Sequence, residues 1–90
     1  MEVKLKEKID KYRAITTEAF TMAKENISDP EAAKEIIEMV QAYISDAQHF
    51  ENQGEPLNAL AALSYAHGWL DCGARLKVFA VTDNRLFTVD

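Results

Sequence analysis

Apolar residues recur at steps of three and four along nearly the whole chain, and the rhythm is broken at only two places before residue 80. That spacing puts them on one side of a helix, which turns once every ~3.6 residues. In the first run, from Val3 to about Ile27, the stripe is Leu5, Ile9, Tyr12, Thr16, Ala19, Phe20, Ala23 and Ile27. The first break, "ISDPEAAKEI", has the residues of a helix start. Asp29 can accept from the free N–H groups of the next turn, Pro30 suits the first helical position, and Glu31 complements the helix dipole. Ser28 with Glu31 offers an alternative capping box. The second break, "NQGEP", supplies Gly54 for a left-handed residue after a last turn and Pro56 to open the next helix.

Two breaks divide the chain into three helices, expected at about 3–27, 30–53 and 57–80, followed by a tail over 81–90. Three glycines and two prolines are too few for the many turns of a strand-rich sandwich. Helix two is one-sided, with Ala33, Ile36, Val40, Tyr43, Ala47 and Phe50 on its apolar stripe. Helix three is apolar almost all round. Leu60, Leu63, Leu70, Ala74 and Val78 line one side of it, and Tyr65, Trp69, Cys72 and Leu76 line nearly the opposite side. Such a helix wants neighbours on both sides. The tail opens with the turn formers Asp83 and Asn84, and its Leu86, Phe87 and Val89 are expected to dock on the bundle. The fold class is therefore all-α: one domain, an antiparallel three-helix bundle with its third helix central and a short C-terminal tail packed back on it.

Composition narrows function by exclusion. A chain of 90 residues with 48% hydrophobic and 28% charged residues folds as one globular domain. A net charge of −5 argues against nucleic acid as a partner, and the lysines near the N-terminus are interleaved with acids. No run approaches the ~18 apolar residues of a membrane span, and the first residues lack the apolar core of a signal peptide, so the chain is expected to be soluble and cytoplasmic, away from any membrane. The single cysteine, Cys72, excludes an internal disulfide and suits a reducing compartment. No cofactor and no metal is expected. Two histidines and one cysteine cannot make a closed zinc set, and Asp46 with His49 is one isolated pair where a carboxylate-bridged metal bundle needs several.

The chemistry-bearing residues gather on helix three. Ser64, His67, Gly68, Asp71 and Arg75 share an arc of about 100°, the polar strip of that helix. Asp71 stands four residues after His67 and four before Arg75, so it can orient the imidazole or pair with the guanidinium. A histidine–aspartate dyad without a nucleophile or an oxyanion hole is not a mechanism, so no catalytic residue is assigned. Ser64, His67, Asp71 and Arg75 remain candidates for holding a small anionic ligand. Tyr65, Trp69, Cys72 and Leu76 are candidates for an interface, because large aromatics at helical spacing pack more often than they stack a base. Gly68 and Gly73 each cost about 1 kcal/mol of helix propensity relative to alanine, which implies a packing reason such as close approach of another helix.

Residues 58 to 79, "NALAALSYAHGWLDCGARLKVF", together with the closing "RLFTVD", resemble the short archaeal proteins grouped as domain of unknown function family 357. The resemblance implies a compact three-helix bundle in an archaeal cytoplasm and supplies no activity. Its recognisable positions here are Ala62, Ser64, Tyr65, Gly68, Asp71, Gly73, Arg75 and Leu76. From the residues themselves, the expected function is that of a non-catalytic interaction module, a homodimer or the partner of another protein, which buries Tyr65, Trp69, Cys72 and Leu76. The competing expectation is a small-molecule or nucleotide-binding regulator that uses the polar strip, with Arg75 on an anionic group.

Overall fold

A computed structural model describes residues 3–88 of the chain. Its helices are α1 (Val3–Lys24), α2 (Pro30–Asn52) and α3 (Pro56–Arg75). Among the described residues there is no strand, only a single antiparallel bridge between Ile27 and Phe79. Lys6 near the start of α1 reaches Glu51 near the end of α2, and Ile9 packs with Ala47 and Ala59. The helices therefore run up, down and up, the antiparallel three-helix bundle expected from the sequence, with α3 packed against both other helices. None of the helices among the described residues is long and apolar enough to cross a membrane.

The helix boundaries follow local chemistry. Asp29 is the N-cap of α2, its Oδ1 accepting from the Ala32 N–H at 3.2 Å, with Pro30 behind it. Of the two caps the sequence allowed, this is the one used. At the other end Gly54, with φ of 74°, takes the left-handed position. The Gly54 N–H donates to the Glu51 carbonyl at 3.1 Å and the Glu55 N–H to the Phe50 carbonyl at 2.8 Å, a complete Schellman motif.

Two boundaries differ from expectation. α1 stops at Lys24 instead of 27, and α3 stops at Arg75 instead of 80. The early end of α3 is a second Schellman motif, with no glycine at its left-handed position. Lys77 holds the left-handed position at φ 63°, the Lys77 N–H donates to the Ala74 carbonyl at 3.1 Å, and the Val78 N–H donates to the Gly73 carbonyl at 2.8 Å. The chain reverses there. The Val78 carbonyl accepts from the Ser28 N–H at 2.8 Å, and the Ala80 N–H donates to the Asn26 carbonyl at 2.7 Å, which ties the segment to the α1–α2 connection. Val78, expected on the apolar side of helix three, is buried from this loop instead.

The reversal drives Phe79 into the core beneath Gly73. Phe79 is 1% exposed and joins Ala19, Phe20, Ala33, Ile36 and Val40 in one apolar cluster. A second cluster, around Ile9, Ala47, Ala59 and Leu63, closes the opposite end. A Cβ at Gly73 would stand 2.5 Å from Cε2 of Phe79 and 3.2 Å from Cδ1 of Ile36, so this glycine is required by close approach of a ring instead of a helix. At Gly68 a Cβ would meet nothing within 4 Å. In dilute protein Gly73→Ala should therefore lower stability by about 1–3 kcal/mol through overpacking, whereas Gly68→Ala should raise it by about 0.5–1 kcal/mol through helix propensity. Thermal melts of the two variants, shifting in opposite directions, are the check.

Candidate functional site

α3 presents three arcs. One faces the core through Ala59, Leu63, Ala66, Leu70 and Ala74, all 5% exposed or less. The second, carrying His67 and Asp71, receives the tail. The third, from Leu57 to Leu76, faces outward.

The tail residues complete the bonds of the second arc. The Leu86 carbonyl lies 2.6 Å from His67 Nε2 and can only accept, so that nitrogen carries the proton. Nδ1 is then free to accept from the hydroxyl of Thr16, 3.1 Å away on α1. Thr16 is fully buried, and the bond supplies the partner that a buried hydroxyl needs. Asp71 accepts from Thr88 twice, Oδ1 from its N–H at 2.9 Å and Oδ2 from its hydroxyl at 3.3 Å. His67 Nε2 and Asp71 Oδ1 stand 3.7 Å apart, too far for a hydrogen bond, so the aspartate does not orient the imidazole; Thr16 and Leu86 do.

Around these bonds the tail is held by a turn and two buried side chains. The Asp83 carbonyl accepts from the N–H groups of Leu86 and Phe87, and Asp83 Oδ1 accepts from the Arg85 N–H. The Arg85 guanidinium closes on both carboxylate oxygens of Glu18 on α1. That contact holds the Glu18 carboxyl below its ordinary pKa and raises that of Arg85. Both groups are largely in water, where such a pair adds little to stability. Leu86 and Phe87, 1% and 2% exposed, carry the docking. Val89, expected to dock with them, lies outside the described residues.

The four ligand-binding candidates are thus divided. His67 and Asp71 lie under the tail, while Ser64 and Arg75 are exposed on the outward arc, and Arg75 forms no ion pair with Asp71. Asp46 and His49 are exposed on α2, and no group of three potential metal ligands occurs among the described residues.

Apart from Ser64 and Arg75, the outward arc is apolar where a monomer is usually charged. Leu57 and Leu76 are each 70% exposed and Tyr65 63%, and Cys72 is also exposed. Tyr65 lies flat on Tyr43 of α2, ring centroids 5.3 Å apart, and Trp69 is half-buried against the main core cluster. Between them Ala61, Ser64 and Gly68 floor an open hollow of about 650 Å³. Of the four interface candidates, Tyr65, Cys72 and Leu76 stay accessible, and Trp69 divides its surface between core and hollow.

Sequence reasoning missed the two α1 groups behind this docking, Thr16, which holds His67, and Glu18, which holds Arg85 of the tail, and also the polar clasp at the far end of the bundle. There Glu51 of α2, its side chain 11% exposed, accepts from Lys6 Nζ and Arg13 Nη1 of α1, each at 2.8 Å. Lys6, and then Arg13, hold its carboxyl below the usual range. One signal was available: a threonine on an otherwise apolar stripe must find a partner. Replacing that partner, His67→Ala, should cost about 1–3 kcal/mol by orphaning the Thr16 hydroxyl and the Leu86 carbonyl. Arg85→Ala should cost less than about 1 kcal/mol. Hydrogen exchange at the Thr88 amide, faster in the first variant than in the second, reads the difference.

A family model described as a protein of unknown function, DUF357, matches residues 6–79, which takes in most of α1, all of α2 and α3, and the reversal to Phe79. The tail follows the matched region. No curated protein and no solved structure matches the chain.

Proposed function

The chain belongs to the DUF357 family of proteins of unknown function, and for it we propose a non-catalytic role as a protein–protein interaction module whose contact surface is the outward arc of α3. The observation that carries this reading is the uncharged, exposed line Leu57, Ala61, Tyr65, Gly68 and Cys72, bordered by Trp69 and Leu76. A contiguous apolar surface of this kind on a small domain marks a place where another macromolecule sits. The proteins it takes include a second copy of the chain. Its setting is the cytoplasm, which suits an exposed, unpaired Cys72.

The competing role, holding a small anion on the polar strip, keeps only Ser64 and Arg75 of its four groups. His67 and Asp71 spend their hydrogen-bonding groups on Thr16, Leu86 and Thr88. The same commitment leaves His67 without a free position for acid–base work on a substrate.

Ala61→Glu tests the reading because it sets a carboxylate in the middle of the line without touching the core. The variant should melt within about 0.5 kcal/mol of the native chain. Native mass spectrometry of gently purified protein should show bound protein, another chain or another copy, on the native sequence and none on the variant. Identical associations in the two would overturn the assignment.

A further inference from the structure

Resting on that reading, we infer that the occupant of the outward arc is a second copy of the chain, its α3 running antiparallel across a twofold axis at Ser64 and Tyr65. Three observations converge on a self-complementary surface.

The first is shape. Leu57, Ala61, Gly68 and Cys72 fall along one line of α3, within about 60° of one another on the helix, with Ser64 and Tyr65 on either side of the midpoint. About that midpoint Ala61 and Gly68 are equidistant, and so are Leu57 and Cys72. A twofold axis there sets the alanine of one copy against the glycine of the other and the leucine against the cysteine. Small residues meet at the crossing, where backbones come closest, and the larger pair closes the ends. Gly68 has no reason within the monomer, since nothing lies within 4 Å of the Cβ it lacks. A neighbouring helix seated on that position gives it one, as Phe79 does for Gly73.

The second is charge. The line itself carries none, but Glu55 stands at one end of α3, and Arg75 and Lys77 at the other. The Glu55 carboxylate accepts from Asn58, and among the described residues none of Glu55, Arg75 and Lys77 has an ionic partner. Antiparallel pairing brings the acidic end of each helix to the basic end of the other; parallel pairing would stack like on like. An unrelated partner would need to reproduce this distribution, and a second copy already has it.

The third is area. A standard interface takes about 800 Å² from each partner, about one seventh of the 5596 Å² surface of this chain. α3 is about 30 Å long, and a contact on its outward arc, where Leu57, Tyr65 and Leu76 are each at least 63% exposed, covers one helix face and not a whole side of the bundle. The dimer is accordingly reversible and depends on concentration.

The register fixes a cross-linking test. In the chain carrying Leu57→Cys beside the native Cys72, the two thiols of different copies face each other, and within one copy they lie about 22 Å apart along the helix. Oxidation with diamide should give covalent dimer at least tenfold faster than in the native chain, which has only Cys72, or in Leu57→Cys/Cys72→Ser. Leu57 is 70% exposed, so both variants keep the core intact. Faster cross-linking of the native chain through Cys72 would mean a parallel arrangement and would overturn the inference. So would equal rates in all three. If cross-linking fails while Ala61→Glu still strips another protein from the chain, the interaction module stands and only its partner is different; if Ala61→Glu strips nothing, the module itself falls.

Discussion

The reversal at Lys77 is the constraint on which the rest of this small fold depends. A lysine forced into the left-handed region costs on the order of 1–2 kcal/mol, and the structure recovers it by turning Phe79 under Gly73. α1 and α2 share few contacts of their own, and that ring joins Ala19 and Phe20 of α1 to Ala33, Ile36 and Val40 of α2 in one cluster. The same reversal sends the chain back past the α1–α2 connection and delivers Leu86, Phe87 and Thr88 to the groove between α1 and α3. One backbone conformation thus fills the core and decides which surface of α3 is covered.

The tail covers the polar arc and leaves the apolar one open. A monomer minimising exposed hydrocarbon would do the reverse, laying Leu86 and Phe87 over Tyr65 and Cys72 and showing His67 and Asp71 to water. The observed choice is held by specific bonds: a histidine whose two nitrogens are both engaged, and an aspartate that accepts twice from one threonine. Polar groups so satisfied fix one docking geometry. An apolar face that remains outward after the chain has used its own tail is a face for something else, and its symmetry of size and charge about Ser64 and Tyr65 points to the chain itself.

Much of the bundle is legible in the sequence because its signals are local. Asp29 with Pro30, and Gly54 with Pro56, mark two connections within a few residues, and the stripe Ala33, Ile36, Val40 and Ala47 is buried as its spacing requires. The end of α3 is not legible, because the left-handed residue there is a lysine and the apolar rhythm runs on through Val78. The division of the polar strip is also hidden. His67 and Leu86 are 19 residues apart, and Asp71 and Thr88 are 17 apart, and nothing in either segment specifies the other. Tyr65, Cys72 and Leu76 are readable as a second apolar side of helix three, and they are the residues left exposed.

The native chain carries its own reporter of the central claim, the lone thiol of Cys72 on the outward arc. The most direct measurement is its rate of reaction with a neutral maleimide as protein concentration is raised from nanomolar to hundreds of micromolar. If a second copy covers the arc, the rate per molecule falls as the dimer forms and recovers on dilution. A rate that stays at the value for an open thiol across the whole range would contradict the account.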